Sequence, residues 1–204
     1  MTILLLRHGE TLLNASRVMQ PADTPLGPRG RAQATAAAAR LASLRPAAIL
    51  SSDLPRAWQT AEAVAAVTGL AIEPSALLHE RNFGALRGRP RDRLGFDPIG
   101  LIDAPEGGES LAVFLERAAA AWALIARRRA GLDGPLLVVS HGLLIHAWLQ
   151  HHATLPAGTA LPGRLGNTGL SVVGAAPPHV ASLVDCTAHL PANLADRTAQ
   201  ASGA

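Results

Sequence analysis

Six short runs of mostly apolar residues recur along the chain, and they constrain its fold more than any other feature. Most of these runs are uninterrupted, which is typical of strands that are buried on both faces. Helical patterns lie between several of them, so the sequence predicts an α/β fold of three layers, in which helices cover both faces of a mostly parallel sheet. The predicted strands are Thr2–Leu6, Ala47–Ser51, Leu70–Pro74, Pro135–Ser140, Gly169–Gly174 and Val180–Cys186.

Four helices are predicted from residues that start and stop helices. The first begins at the Gly-Pro pair at 27–28, because glycine is tolerated at an N-cap and proline in a first turn. In the second, Asp53 is the expected N-cap and Gly69 the C-terminal stop. The third and fourth are expected over about residues 110–129 and 141–152.

The length of 204 residues suits one domain, and hydrophobic residues make up 49% of it, which is enough for a large core. We expect that single domain over residues 1–191. Residues 87–108 are rich in arginine, glycine, proline and aspartate, and we interpret them as a loop that lies over a site like a lid. Residues 192–204 are small and polar and are predicted to form a flexible tail.

The composition argues against several classes of protein. All 18 basic residues are arginine, but the net charge is only +3 and 3% of residues are aromatic, so a nucleic-acid partner is not expected. Cys186 is the single cysteine, which leaves no internal disulfide or cysteine metal cluster. No apolar run approaches the roughly 18 residues that span a bilayer. The run before Arg7 is too short for a signal peptide, so we expect a cytoplasmic protein without a membrane partner, and a homo-oligomer stays open.

Two of the predicted strands end in a similar way. Arg7 and His8 follow the first strand in ILLLRHGE, and His141 follows the fourth in LLVVSHGLL, where a helix comes next. Ligands of open parallel sheets bind at the carboxyl ends of the strands, and helix N-termini attract anions. A glycine follows each histidine and lets a ligand approach the backbone. The pattern therefore predicts two imidazoles that are directed at one anion.

Arg56 and Glu80 add charged groups to this predicted site. Arg56 lies in the first turn of its helix, where a cation opposes the helix dipole by about 0.3–1 kcal/mol, so we expect it to have an anionic partner. Together with Arg7 it would hold a phosphoryl group through forked hydrogen bonds. Glu80 lies in LLHERNFGALRG, between a strand and a glycine-rich turn, where a carboxyl group can donate a proton to a leaving oxygen.

The motifs that carry these residues resemble those of a known family. RHGET with Asn14 three residues on, SSDLPRAWQTA, ERNFGALRG and SHG occur in the order typical of the histidine phosphatase superfamily, also called phosphoglycerate-mutase-like. DTPLGPRGRAQA and EGGES also fit the pattern of this family, so the resemblance covers about residues 2–190. It implies a phosphoglycerate-mutase-like fold, which agrees with the strand pattern.

The resemblance also implies a role for each site residue. His8 would be the nucleophile that forms a phosphohistidine, and Glu80 would be the general acid and base. The resemblance implies no metal and no cofactor. The residues that bind the phosphate would be Arg7, Asn14, Arg56, His141 and Gly142.

The chemistry of phosphoryl transfer agrees with these roles. Attack requires a neutral His8, and neighbouring arginines disfavour its protonation. Its other ring nitrogen is expected to donate to a backbone carbonyl, which would hold one tautomer. Arg7, Arg56 and His141 would then stabilise charge on the equatorial oxygens during transfer, which makes them catalytic as well as binding residues.

Other polar residues have competing interpretations. Histidines of the fourth predicted helix lack acidic or cysteine partners at ligand spacing, so they do not favour a metal site. Asn167 precedes a strand and is a further candidate to face the pocket. Every second residue at the start of the predicted lid is an arginine. These arginines either carry solvated surface charge or recognise an anionic group at the far end of the substrate. They are Arg87, Arg89, Arg91 and Arg93.

We therefore expect a phosphomonoesterase of the histidine acid type that acts on a small phosphorylated metabolite and passes the phosphoryl group from His8 to water. The alternatives are a cofactor-dependent phosphoglycerate mutase and a non-catalytic sensor of phosphorylated ligands. Mutases of this family use a lysine and a tyrosine, whereas this chain has neither, and Phe83 stands where the tyrosine is expected. A sensor only binds its ligand and needs no proton donor, so the presence of Glu80 argues against it. A phosphoprotein phosphatase would have a shallow pocket, against which the predicted lid argues.

Overall fold

A sheet of six strands forms the middle of the protein in the computed structural model, which describes residues 2–195. Each strand begins and ends within two residues of its predicted bounds, so all six strand predictions are confirmed. The strands are β1 (Thr2–Arg7), β2 (Ala48–Ser51), β3 (Ile72–Pro74), β4 (Leu136–Ser140), β5 (Leu170–Gly174) and β6 (Ala181–Cys186).

The sheet is mixed, and its strands follow the order β3-β2-β4-β1-β5-β6. The first four strands in this order are parallel, whereas β5 runs antiparallel to β1, and β6 antiparallel to β5. In the register of the parallel part, Arg7 pairs with Ser140 and Ser51 pairs with Val139. β1, β2 and β4 therefore end at the same edge of the sheet, which brings the RHG, SSD and SHG motifs together.

Helices cover both faces of the sheet, which confirms the predicted three layers. Four α-helices match the predicted ones, and among the α-helices of residues 2–195 only the four-residue α1 has no predicted counterpart, because it is too short to show a helical repeat. Pro28 is the first residue of its helix, as the Gly-Pro pair predicts. The α-helices of residues 2–195 are α1 (Leu12–Ala15), α2 (Pro28–Ser43), α3 (Pro55–Thr68), α4 (Leu111–Ala130) and α5 (Gly142–His151).

Side chains of β1 alternate between two cores, one on each face of the sheet. Ile3 and Leu5 lie in the core that includes residues of α4 and α5, while Leu4 and Leu6 lie in the core that includes residues of α2 and α3. None of these four side chains is more than 2% exposed. Burial on both faces explains why β1 is one uninterrupted apolar run in the sequence.

The start of α3 differs from its prediction. Leu54 is the N-cap, without a side-chain hydrogen bond, and Pro55 is the first helical residue. The carboxylate of Asp53, the predicted N-cap, instead contacts the imidazole Nε2 of His79. The prediction is wrong because the proline, which has a fixed φ and no N–H to donate, sets the helix start one residue later. Arg56 still lies in the first turn.

The loop over residues 87–108 makes its own contacts with the rest of the protein. The guanidinium group of Arg81 donates hydrogen bonds to the carbonyl oxygens of Ile99 and Leu101, at 3.2 and 2.7 Å. Apolar side chains on both sides also form a small core, whose members are Met19, Phe83, Leu86, Leu94, Ile99, Leu101 and Leu143. These contacts hold the loop beside the edge of the sheet where the predicted site lies.

The last described residues contact α2. The carbonyl oxygens of Leu194 and Ala195 accept hydrogen bonds from Gln33 and Arg29, at 2.9 and 2.7 Å. Residues 196–204, the greater part of the predicted flexible tail, lie outside the described residues. Within residues 2–195, no helix combines the length and the apolar character needed to cross a membrane.

Candidate active site

Backbone hydrogen bonds fix the position of His8 just beyond the end of β1. Its N–H donates to the carbonyl oxygen of Ser140 at 2.9 Å. Its carbonyl oxygen accepts from the amide of Asn167 at 3.0 Å and from the N–H of Thr168 at 3.3 Å. His8 is only 2% exposed. The sheet and the segment before β5 therefore hold this residue from both sides.

The imidazole of His8 is held in one tautomer. Its Nδ1 lies 2.7 Å from the carbonyl oxygen of Gly9, and a carbonyl oxygen only accepts, so Nδ1 carries the proton and the lone pair is on Nε2. Burial, followed by the charges of Arg7 and Arg56, lowers the pKa of His8 well below its ordinary value. The ring is therefore neutral at pH 7, as attack by Nε2 requires.

His141 packs against His8 from the start of α5. The two ring centroids are 5.2 Å apart, and His141 is 0% exposed. Its Nε2 lies 2.8 Å from the hydroxyl oxygen of Ser52, which itself accepts a hydrogen bond from the N–H of Leu54. A hydroxyl can accept and donate at the same time, so this contact allows the proton of the neutral His141 ring on either nitrogen. Among the described residues, Nδ1 of His141 has no hydrogen-bond partner.

Two buried guanidinium groups, those of Arg7 and Arg56, lie close to His8. Arg7 is 5% exposed and Arg56 is 2% exposed, and backbone carbonyls hold both. Arg7 donates to the carbonyl oxygen of Leu165. Burial, more than the charge of any neighbour, lowers the pKa of Arg56 to about 10. A buried cation of this kind is stabilised when an anion enters the site.

Gly142 makes room for one of these arginines. A Cβ atom at this position would lie 3.2 Å from Nε of Arg7, which is closer than most side-chain contacts. Gly142 is also the first residue of α5, so it lies where the N–H groups of a helix are available to an anion.

Glu80 is tied to the same helix start. One carboxylate oxygen accepts from the N–H of Leu143 at 3.1 Å, and the other accepts from the N–H of Arg81 at 3.0 Å. Other glutamates near the predicted loops have different partners, since Glu10 pairs with Arg29 at 2.6 Å. Glu109 pairs with Arg117 at 2.7 Å. Glu80 is thus the glutamate that borders the same cavity as His8.

The predicted site residues meet around one cavity of about 380 Å³, a size that fits a small molecule. His141 does not line this cavity, although its ring packs against that of His8. Arg87 and Arg91 border the cavity from the predicted lid, whereas Arg89 and Arg93 do not. The predicted residues that line the cavity are Arg7, His8, Asn14, Arg56, Glu80 and Gly142.

Residues 3–183 match the sequence family described as histidine phosphatase superfamily, branch 1. The chain belongs to the histidine phosphatase superfamily. The match spans all six strands except the first residue of β1 and the last three residues of β6. The resemblance of the sequence motifs to this superfamily is therefore confirmed, and so is the fold that it implies.

Relatives of this histidine phosphatase carry different names. A probable phosphoglycerate mutase, GpmB, of Yersinia enterocolitica is 37% identical over 181 residues, which are 84% of this chain and 83% of the relative. The solved structure of a mycobacterial glucosyl-3-phosphoglycerate phosphatase is 30% identical with a TM-score of 0.75, over 91% of this chain and 98% of that one. A putative alpha-ribazole-5'-P phosphatase from Escherichia coli has a TM-score of 0.80 over 92% and 97% of the two chains, but at 24% identity it shows the shared fold alone.

Asn14 and Asn167 lie close to each other beside the His8 segment. Asn14 lines the cavity, and its side-chain oxygen accepts from the N–H of Thr11 at 3.3 Å in the capping box of α1. Asn167 is 1% exposed and supports the backbone of His8 without bordering the cavity. Its amide nitrogen lies 3.5 Å from the side-chain oxygen of Asn14, so the two asparagines connect the α1 turn to the His8 segment.

Sequence reasoning missed three residues around the site. Ser52 lies one position beyond β2 in the SSD motif, and that position at a strand end was a signal that could have identified it. Arg17 and Arg164 line the cavity from irregular segments, where no periodic pattern marks them. Within residues 2–195, no group of three or more histidine, cysteine, aspartate or glutamate side chains is arranged to hold a metal ion.

Proposed function

We propose that this protein is a phosphomonoesterase that hydrolyses a small phosphorylated metabolite through a phosphohistidine on His8. One observation carries the proposal: a buried, neutral imidazole with its lone pair on Nε2 lies on a cavity that Arg7, Arg56 and Glu80 also line. A nucleophile, two cations and a proton donor are the groups that a two-step phosphoryl transfer needs.

In the first step, the lone pair on Nε2 of His8 attacks the phosphorus atom, and the bond from phosphorus to the ester oxygen breaks. The carboxyl group of Glu80 gives its proton to the leaving oxygen, so the alcohol departs neutral. Arg7 and Arg56 stabilise the charge that spreads over the equatorial oxygens, and His141 supports the site by packing against His8. Removal of one hydrogen-bond donor to such oxygens typically lowers kcat by a factor of about 10²–10³.

In the second step, a water molecule replaces the alcohol. The Glu80 carboxylate takes a proton from this water as its oxygen attacks the phosphorus, and the P–N bond breaks. His8 returns to its neutral form with the lone pair on Nε2, Glu80 is again protonated, and inorganic phosphate leaves. The Nδ1–H of His8 stays bonded to the Gly9 carbonyl throughout, so the ring needs no reorientation between the steps.

A small substrate in the cytoplasm fits this proposal best. The cavity of about 380 Å³ lies beside a loop that is fixed by the Arg81 hydrogen bonds, and a cavity of this volume fits a small molecule. The single cysteine, which forms no disulfide, agrees with a reducing compartment.

The main alternative is a phosphoglycerate mutase, which the name of the Yersinia relative favours. A mutase returns the phosphoryl group to the substrate instead of passing it to water. Phe83 occupies the position where a tyrosine is expected in such mutases, and it is buried in an apolar cluster with Met19 and Leu86. The chain has no tyrosine and no lysine at any position, so we favour hydrolysis.

The proposal is tested with para-nitrophenyl phosphate and a panel of phosphorylated metabolites. We expect the wild-type protein to release inorganic phosphate, and His8→Ala to lose at least about a thousandfold in kcat. His151→Ala, at the exposed end of α5, is the control and should keep full activity. A rapid quench with a substrate should trap an acid-labile phosphoryl group on His8.

Three outcomes would favour the alternatives. Activity that depends on 2,3-bisphosphoglycerate and releases no phosphate would indicate a mutase. Binding of phosphate esters without turnover of any of them would indicate a sensor. Turnover that persists in His8→Ala would exclude the phosphohistidine mechanism.

A further inference from the structure

The cavity carries more positive charge than a single phosphoryl group can neutralise. Seven arginines line it, against the two carboxylates of Glu80 and Asp97. A phosphate monoester brings about −1.5 to −2 charges near pH 7. A substrate with one phosphoryl group would therefore leave several guanidinium groups in the cavity without an anionic partner.

The arginines divide into three groups by what their side chains contact. Arg7 and Arg56 are buried near His8 and form the floor of the cavity. Arg81 is committed to structure, because its guanidinium group donates to the carbonyl oxygens of Ile99, Leu101 and Glu109. The remaining four, which we name the rim arginines, are Arg17, Arg87, Arg91 and Arg164.

The rim arginines have few partners in the protein. Arg91 contacts Asp97 at 3.4 Å, and these side chains are 41% and 66% exposed, so the pair is weak. For Arg17, Arg87 and Arg164, residues 2–195 provide no side-chain hydrogen bond and no ion pair. Like charges that converge on one cavity repel each other, and an anion placed among them relieves that repulsion.

Backbone contacts hold part of the rim in place before any ligand binds. The N–H of Arg91 donates to the carbonyl oxygen of Arg17 at 3.0 Å, and the N–H of Gly88 donates to that of Met19 at 2.7 Å. Arg17 has a φ of 55°, which is unfavourable for a residue with a side chain. Such strain persists where surrounding contacts enforce it, and it is frequent at functional sites.

Two rim charges also act on the floor of the cavity. The charge of Arg164 contributes to the lowered pKa of His8, after burial and the two floor arginines. The charge of Arg87 contributes to the lowered pKa of Arg56, after the effect of burial. All four rim arginines line the same cavity of about 380 Å³ as His8, so a small molecule whose phosphoryl group lies at His8 can contact them with another of its groups.

We propose that the rim arginines form a second anion-binding subsite, so that the preferred substrate is a phosphate monoester with a second anionic group, a carboxylate or a phosphate. This inference rests on the proposed function and names the chemical class of its substrate. A guanidinium group can form paired hydrogen bonds with a carboxylate or with a phosphate. The substrate class is therefore defined by the second negative charge and its position, and either group can supply that charge.

Matched substrate pairs test the subsite. The first pair is 3-phosphoglycerate and glycerol 3-phosphate, which differ in a carboxylate and a hydroxymethyl group. The second is fructose 1,6-bisphosphate and fructose 1-phosphate, which differ in a phosphate. We expect kcat/KM of the wild-type enzyme to be at least about tenfold higher for the more acidic member of one pair. The pair with the larger ratio identifies the second group.

Variants then assign the preference to the rim. In Arg17→Gln, Arg91→Gln and Arg164→Gln, we expect the ratio of kcat/KM values within that pair to fall by about tenfold. Arg93→Gln is the control, because Arg93 lies on the same loop but does not line the cavity, and its ratio should equal that of the wild type. A loss of fold would show as a lower Tm, so the Tm of each variant is measured as well.

The outcomes separate this inference from the proposed function. Equal kcat/KM values within both pairs, or ratios that no rim variant changes, would overturn the subsite and leave the phosphatase intact. If no ester is hydrolysed, the proposed function fails and the subsite is read from ligand-induced shifts in Tm. A shift that is larger for 3-phosphoglycerate than for glycerol 3-phosphate in the wild type and lost in Arg91→Gln would support the subsite, and equal shifts would overturn it.

Discussion

The floor of the cavity and its rim are built in different ways. Arg7 and His8 lie at the end of β1, Arg56 lies in the first turn of the helix that follows β2, and none of these floor residues is more than 5% exposed. The rim arginines lie outside the strands and α-helices, and three of them, Arg17, Arg91 and Arg164, are exposed. The sheet thus fixes the groups to which we assign the chemistry, while loops carry the groups that would choose the substrate.

This difference also sets how strongly each region acts on a bound anion. Charges on the floor are removed from water, and burial is the largest cause of the lowered pKa of both Arg56 and His8. Charges on the rim stay in contact with water and with salt, which weaken their interactions. Substitutions on the floor should therefore reduce turnover of every ester, whereas substitutions on the rim should change the relative rates of different esters.

The largest effect is expected from Arg56→Gln. This change removes a buried guanidinium group that is proposed to stabilise the phosphoryl oxygens. The value of kcat/KM should therefore fall by about 10²–10³ for phosphate esters with and without a second anionic group. The rise in Tm that inorganic phosphate causes in the wild type should also disappear. Activity assays with both members of a substrate pair, together with thermal unfolding, measure these effects.

Arg129→Gln is the matched control for this floor substitution. Arg129 is as buried as Arg56, at 2% exposure, and its guanidinium group donates to the carbonyl oxygens of Thr2 and Leu132, away from the cavity. It should keep kcat/KM and the phosphate-induced rise in Tm. If kcat/KM of Arg56→Gln falls only for esters that carry a second anionic group, then the floor acts on substrate choice in the same way as the rim.

A smaller effect is expected from Ser52→Ala, behind the floor. We expect the Ser52 hydroxyl, 2.8 Å from Nε2 of His141, to donate to that nitrogen and so to keep the ring proton on Nδ1, and its removal should allow both tautomers. We expect kcat to fall by about tenfold. Ring nitrogen shifts in ¹⁵N NMR should show Nδ1 protonated in the wild type and a mixture in the variant.

The control for Ser52 is Ser140→Ala. Ser140 is also 0% exposed, and its hydroxyl donates to the carbonyl oxygen of Leu78 at 2.9 Å instead of to a histidine. This variant should lose stability without a change in the tautomer of His141. If the ¹⁵N shifts of His141 are the same in Ser52→Ala and the wild type, Ser52 does not set the tautomer.

The floor could be predicted from the sequence because its geometry follows from local order. β1 and β4 are apolar runs that each end next to a histidine, and the register of parallel neighbours brings Arg7 beside Ser140. The N-cap of α3 was predicted one residue too early, since Asp53 has the better capping side chain but Pro55 decides the start. Such an error shifts a boundary and leaves the position of Arg56 unchanged.

The rim could be predicted only in part because its residues depend on contacts between distant segments. Four alternating arginines in the loop are equivalent in the sequence, yet Arg87 and Arg91 line the cavity and Arg89 and Arg93 do not. What separates them is the pairing of residues 17–19 with residues 88–91, which no periodic pattern encodes. Arg17 reaches the cavity through the same pairing.

The smallest expected effect is on stability, and it concerns the two buried histidines, His8 and His141, whose pKa values are lowered in the folded protein. Burial is the first cause of the lowered pKa of His8 and of His141, and the neighbouring arginines add to it. Both pKa values lie well below the ordinary 6.5 that the unfolded chain regains. Below pH 6.5 the unfolded chain therefore binds protons that the folded protein does not, and the free energy of unfolding decreases. Above it, both states are neutral and these histidines add no slope.

Urea unfolding between pH 5 and 7.5 measures this dependence. Each such histidine contributes up to about 1.4 kcal/mol per pH unit to the slope. His146, His152 and His189 also have a lowered pKa, chiefly from burial, so the whole slope belongs to several residues and a difference between variants is needed. His141→Gln should reduce the slope below pH 6.5, relative to the wild type, by the contribution of about one proton. A slope that is the same in this variant and in the wild type would mean that His141 takes up its proton as readily in the folded protein as in the unfolded chain, and the surroundings of His8 and His141 would then be as solvated as the rim.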